Sequence, residues 1–149
     1  WCTAGSSVIP SADTYCGTSV FSEPETRTIA EKIGSIINMK GGIDFHTYGP
    51  LLLWPWQYTI DKVSPLNYTE FSVLGQKMVT AVNNVHGENF ISQQGSDLYE
   101  HSGGFIDYNY ERHEMITFTY ELRGDHFIVP PEYILPSGQE ALAGVVIYA

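Results

Sequence analysis

Apolar positions recur along this chain with two different periods, and each period predicts an element. In "SEPETRTIAEKIGSIIN", Ile29, Ile33, Ile36 and Ile37 fall on one face at helical spacing. Ser22 is placed to cap this helix, Pro24 sits in its first turn, and Glu23 and Glu25 suit the positive end of its dipole. The pattern predicts an amphipathic helix resting on a sheet, stopped at Gly41-Gly42 and followed by a short strand, "GGIDF". "LLLWPWQY" is apolar throughout, but Pro55 argues against a central strand. After a loop with Asp61, Ser64 and Pro65, a second helix is predicted from about Thr69 to Val85, with Phe71, Leu74, Met78, Val82 and Val85 as its stripe and Gly87 as its stop. "QQGSDLYEHSGG" has loop composition. "ITFTYEL" alternates strictly, placing Ile116, Phe118 and Tyr120 on one face of a strand and Thr117, Thr119 and Glu121 on the other. Ser137 and Glu140 have capping-box spacing for a last helix, in which Ala141, Leu142, Val145, Val146 and Ala149 follow helical spacing to the final residue. Helix, strand, helix, strand, helix is an α/β pattern, and no internal repeat or low-complexity segment interrupts it.

The chain has 149 residues, enough for one domain with a core. Its formal net charge of −10 argues against nucleic acid or an anionic membrane as partner, because both require a basic face; solubility alone would also explain it. No run of 18 apolar residues is present to span a membrane, and Trp1-Cys2-Thr3 is not the start of a signal peptide. Residues 1–20 read as an irregular loop containing both cysteines. A bond between Cys2 and Cys16 would be worth roughly 3 kcal/mol, and two free thiols are the equal alternative. Together with the sequon Asn67-Tyr68-Thr69, these cysteines lean toward a secreted protein. The opening on Trp-Cys and the uncapped apolar end of the last helix suggest a piece of a longer protein.

The chemistry of the residues is sparse. Of His46, His86, His101, His113 and His126, no two have the i, i+4 spacing of a helical metal site, and no Cys-x-x-Cys occurs. A catalytic zinc normally has three protein ligands plus water, and a full set is not visible here. The nucleophile elbow of serine hydrolases and phosphate-cradling loops are also missing. Two polar residues stand at strand ends in apolar surroundings: His46 in "IDFHTYGPLLLWPW" and Glu121 in "ITFTYEL". A histidine satisfied by one hydrogen bond and a glutamate on an exposed sheet face would explain both. Ligands of α/β proteins, however, gather at the carboxyl ends of strands, which gives the pair a second meaning.

The blocks "DTYCGTSVFSEPETR", "DFHTYGPLLLWPW", "LYEHSGGFIDYNY", "ITFTYELR" and "ILPSGQE" occur in the order found in zinc metallocarboxypeptidases of the pancreatic carboxypeptidase A and B type. The resemblance runs from Trp1 to about Gly144 and corresponds to the second half of that family's catalytic domain. It implies an α/β fold, part of a mixed, mostly parallel central sheet flanked by helices, with the N-terminal half missing. By the same resemblance His46 matches the third zinc ligand and Glu121 the general base acting on the zinc-activated water. Tyr99 matches the mobile tyrosine that closes on the substrate carboxylate, and Tyr48 and Phe127 match subsite residues on the amino side of the scissile bond. Cys2 and Cys16 match a loop disulfide of B-type members. Ile106 matches the base of the pocket for the terminal side chain, where B-type enzymes carry aspartate; Leu53, Leu98 and Thr119 match its walls. Asp107 stands where both types are acidic.

Departures accompany the likeness. "ENFISQQGSDLY" and "GDHFIVP" look shorter than their family counterparts, and His101 replaces a small residue in or near the pocket. Two zinc ligands and the arginines that hold the substrate are not in this sequence. The resemblance therefore implies a secreted, zinc-dependent carboxypeptidase that releases hydrophobic or aromatic C-terminal residues from peptides. It would act only when completed by the other half, using one zinc ion with two further ligands from outside this chain. A carboxypeptidase-like module that binds peptide C-termini or a protein partner without catalysis is the alternative. A purely structural fragment would leave the five ordered blocks unexplained.

Overall fold

The alternating segment "ITFTYEL" forms β4, Ile116–Leu122, with the bounds its pattern predicts, in a computed structural model that describes residues 1–149. On one side β1, Gly41–Thr47, pairs parallel with β4. On the other, β2, Leu51–Trp54, pairs antiparallel with it, and β3, Ile91–Gln94, pairs parallel with β2. The order is β1-β4-β2-β3, a mixed sheet in which two of three pairings are parallel.

The two faces of β4 serve different purposes. Phe118 and Tyr120 are buried among Phe71, Met78, Val79 and Val82 of α2, Pro65–His86, together with Leu52 and Trp54 of β2. Each such side chain contributes about 1.5–3 kcal/mol through removal of its apolar surface from water. The last helix, α4, Ile134–Tyr148, packs on α2, and at the close approach a Cβ on Gly144 would stand 3.2 Å from Val82 and 3.1 Å from Tyr120. On the opposite face lies α3, Phe105–His113, where the buried Thr117 hydroxyl donates to the Ile106 carbonyl. The sheet thus has one apolar face and one carrying threonines, a glutamate and a histidine.

Several element boundaries differ from the sequence pattern for definable reasons. Ser22 is not a cap: α1, Pro24–Gly34, begins after Glu23, because Pro24 takes the first helical position and the cap falls on the residue before it. The Ser22 hydroxyl instead donates to the Glu23 carboxylate. The helix ends at Gly34, so Ile36 and Ile37 lie beyond it, no residue of α1 is buried, and it does not rest on the sheet. Gly41 and Gly42 do not stop a helix; they open β1, where a Cβ on Gly41 would collide with the Tyr148 hydroxyl. Pro55 does not exclude a central strand, since β2 is internal and ends one residue before it. The second helix starts earlier than Thr69: Ser64 caps it, accepting from the Asn67 N–H, and Pro65 is its first residue. Gly87, at φ +76°, closes it as the spacing predicts.

Gln93 and Gln94, expected in a loop, belong to β3; "ISQQ" carries no apolar alternation, yet its pairing with β2 makes it a strand. Ser137 lies inside α4 and no capping box forms. Glu140 is instead buried, 3.5 Å from Arg123, which also pairs with Glu88. Leu142 and Val146 of the predicted stripe are exposed. The sequon residue Asn67 lies in the first turn of α2 and donates its side-chain amide to the Tyr110 hydroxyl.

The irregular first residues are stapled by a Cys2–Cys16 disulfide. The closed loop docks on the segment before α3: Thr3 N–H donates to the Ser102 hydroxyl, and Ser102 N–H donates to the Ala4 carbonyl.

Candidate active site

Parallel pairing in register places His46 of β1 directly beside Glu121 of β4, and Asp44 beside Thr119. Antiparallel pairing adds Leu53 of β2 beside Thr119. Side chains two residues apart on a strand share a face, so Asp44, His46, Thr119, Glu121 and Leu53 converge on the polar side of the sheet.

His46 is held at one nitrogen and open at the other. Nε2 lies 2.7 Å from the Asp44 carboxylate, and Nδ1 faces Glu121 Oε1 at 3.8 Å. The imidazole is 48 % exposed while the Glu121 side chain is only 12 % exposed, so an ion or substrate has access to the histidine from solvent and the carboxylate waits behind it. The hydrogen bond to Asp44 holds the His46 pKa above its ordinary value, against the opposing effect of burial. Burial pushes the Glu121 carboxyl above the usual range; His46 lowers it and Asp44 raises it. Glu121 Oε2 is buried and has no hydrogen-bond partner. A carboxylate that binds a proton more readily than usual and has an unused oxygen is suited to general-base work.

A cavity of about 310 Å³ opens beside this pair. It is walled by Leu53, Leu98 and Thr119, with Tyr99 and His101 at one side and the Ser102–Phe105 segment at another. Gln57 completes it. Tyr99 is 61 % exposed and its ring lies 5.2 Å from that of His101, so it borders the cavity without being packed into it. Burial lowers the His101 pKa below its ordinary value. Of the site residues expected from sequence, His46, Glu121, Tyr99, Leu53, Leu98 and Thr119 are therefore brought together. Ile106 is fully buried and does not line the cavity, although its neighbour Phe105 does. Tyr48 and Phe127 lie outside the cavity; they meet each other edge to face at 5.0 Å, both exposed.

Asp44 and Gln57 are among the cavity residues not singled out from the sequence. Asp44 had a usable signal, since it stands two residues before His46 on the same strand face. Gln57 had none, because it follows β2 in a segment without periodicity. Its place is set by Asp107, whose buried carboxylate accepts from the N–H groups of Gln57 and Tyr58 at 2.9–3.0 Å. Burial raises the Asp107 pKa to about 6. A second, larger cavity of about 830 Å³ lies between the stapled loop and Trp56, Tyr58 and Tyr108; it shares the His101–Gly104 wall but contains neither His46 nor Glu121.

The donor set fits a borderline-soft divalent cation at one position. Nδ1 of a neutral imidazole is a good zinc ligand, and an acidic partner on the other ring nitrogen is the usual way such a ligand is oriented. No cluster of three His, Cys, Asp or Glu side chains in this chain could hold a metal ion; His46 offers one ring nitrogen, with the Glu121 carboxylate 3.8 Å from it.

Comparison with known proteins gives a consistent picture. Residues 1–144 match the family model described as zinc carboxypeptidase. Carboxypeptidase B of Bos taurus is 31% identical over 150 residues, covering 97% of this chain and 36% of that protein. Carboxypeptidase A1 of Bos taurus is 32% identical over 149 residues, covering 96% and 35%. The structure of bovine thrombin-activatable fibrinolysis inhibitor in complex with tick carboxypeptidase inhibitor superposes with a TM-score of 0.92 at 31% identity, covering 99% of this chain and 51% of that one. Carboxypeptidase A from Helicoverpa armigera gives 0.87 at 29% identity, covering 96% and 37%. The chain spans about a third of the length of the curated relatives it matches.

Proposed function

Since the chain belongs to the zinc carboxypeptidase family, we propose that it is part of the catalytic domain of a secreted enzyme that removes C-terminal residues from peptides. Residues 1–149 form the later half of that domain, and the earlier half supplies two further zinc ligands and the groups that grip the substrate carboxylate. His46 would hold the ion, with Asp44 fixing the ring through its other nitrogen. When bound, zinc lowers the pKa of its water to about 7 and polarises the scissile carbonyl. Glu121 takes a proton from the attacking water and returns it to the departing amine, which its raised pKa favours. Tyr99, exposed at the cavity rim, swings over the bound terminus and helps to exclude solvent. Tyr48 and Phe127 contact the residue on the amino side of the cleaved bond.

The terminal side chain enters the cavity between Leu53, Leu98 and Thr119. With no counter-charge in its wall beyond Asp44 and Glu121 beside His46, and isoleucine at position 106 where B-type enzymes carry aspartate, the pocket accepts uncharged, apolar or aromatic residues in preference to Lys or Arg. The observation that carries the proposal is the in-register pairing of His46 with Glu121 beside a cavity of side-chain size. In the intact, zinc-loaded enzyme, Glu121→Gln should lower turnover of a Phe-terminated peptide by about 10²–10⁴-fold while zinc content and peptide binding persist. A variant that retained wild-type turnover would remove Glu121 from the mechanism. If the wild-type enzyme bound such peptides but never cleaved them, a non-catalytic binding module would replace the proposal.

A further inference from the structure

The cavity beside His46 is lined in part by a side chain, Gln57, that neither the family likeness nor the proposed mechanism uses. Gln57 is 3 % exposed, and its side chain lies between two glycines with no room to spare. A Cβ on Gly95 would stand 2.3 Å from Gln57 Cγ, and one on Gly104 would stand 2.3 Å from its Oε1. Both glycines are therefore needed for Gln57 to occupy this position. The backbone on which it stands is clamped by the buried Asp107 carboxylate. Gln57 is thus held in the cavity wall by tight packing, and its carboxamide makes no hydrogen bond within the chain.

Its neighbours have the same character. His101 donates its backbone N–H to the Gln57 carbonyl and keeps a buried, unpartnered Nδ1, and Thr119 lines the same cavity. The charged groups of the cavity, Asp44 and Glu121, flank His46. A ligand that fills the cavity with hydrocarbon alone against Gln57 and Thr119 would take water from a carboxamide and a hydroxyl and leave them unsatisfied. Such a loss typically costs more than the hydrogen bonds themselves return. A site with hydrogen-bonding groups discriminates strongly against analogues that lack the matching group.

We infer that Gln57 is a specificity-determining residue whose carboxamide selects uncharged terminal side chains ending in a hydrogen-bonding group, a phenol or a carboxamide, over purely apolar ones of the same shape. The inference rests on the carboxypeptidase reading and narrows it: an aromatic terminal residue is accepted, and tyrosine is preferred to phenylalanine. Asp107, Gly95 and Gly104 position Gln57.

The test uses the intact, zinc-loaded enzyme and two shape-matched peptide pairs, ending in Tyr or Phe and in Gln or Met. Wild type should favour Tyr over Phe and Gln over Met by about tenfold in kcat/KM, the equivalent of one net hydrogen bond. Gln57→Met keeps the length of the side chain and removes its hydrogen bonding, so both preferences should vanish or reverse while zinc content is unchanged. Calorimetric titration with free Tyr and free Phe gives a readout that needs no turnover. Tyr should bind more tightly to wild type, and the two should bind alike in the variant. Equal handling of Tyr and Phe by wild type would overturn the inference, as would a preference that survived Gln57→Met. Absence of all cleavage would overturn the carboxypeptidase reading instead, and the calorimetric comparison would still decide the role of Gln57. Should Gln57→Met fail to fold, the Tyr/Phe and Gln/Met ratios of wild type decide the matter.

Discussion

His46 and Glu121 were legible in the sequence because each is a polar residue ending a strand with apolar neighbours. Their partners were legible to different degrees. Asp44 follows from the two-residue strand repeat once β1 is extended to Thr47. Gln57 and the orphaned nitrogen of His101 depend on which loops meet over the sheet, and no local pattern encodes that. Asp107 shows how a buried carboxylate acts on the fold as well as on the site. Its pKa is raised by burial from 3.8 to about 6, so the folded chain binds this proton more tightly than the unfolded chain. The stability it contributes is fully present below about pH 4 and is lost as pH rises to about 6, by roughly 3 kcal/mol at most. Melting temperatures of the intact enzyme should show this: relative to Asp107→Asn, wild type should lose ground between pH 4 and 6 and then stay level. A constant difference across that window would contradict the assignment.

At the scale of elements, β4 and α2 were read correctly in kind because long periodic segments are recognisable from their own residues. β3 and α3 were not. "ISQQ" is polar on both faces and becomes a strand only by pairing with β2, while α3 carries little apolar stripe and is fixed by packing on β4. The stapled loop likewise has meaning only through its contact with the cavity wall. Thr3, Ala4 and Ser6 bond to Ser102, and Gly5 lies so close to His101 that a Cβ there would stand 3.0 Å from the histidine's own. Replacing Cys2 and Cys16 by alanine should cost roughly 3 kcal/mol of stability and, by loosening residues 101–104, raise KM more than it lowers kcat. Steady-state kinetics together with thermal melting would check both. An unchanged KM in a destabilised variant would confine the loop to a structural role.

The whole molecule presents apolar surface that these residues do not cover. β1 stands at the sheet edge with Phe45 half exposed, and Ile29, Ile36 and Ile37 are exposed on and after α1. An open strand edge beside apolar side chains is a template for association. Expressed alone, residues 1–149 should therefore aggregate or fold poorly, and a sharp, cooperative, concentration-independent melt of the isolated chain would contradict this. The periodicity of α1 is that of a packed helix, yet none of its residues is buried within this chain, which is why a reading of the pattern placed it on the sheet.

The account depends most on His46 acting as the one zinc ligand this chain supplies, with its counterparts elsewhere in the enzyme. Zinc content of the intact enzyme after exhaustive dialysis tests that directly, compared between wild type, His46→Ala and Glu121→Gln. Wild type and Glu121→Gln should each retain about one zinc per molecule, and His46→Ala should lose most of it while keeping its circular dichroism spectrum. Full zinc retention by folded His46→Ala would contradict the claim.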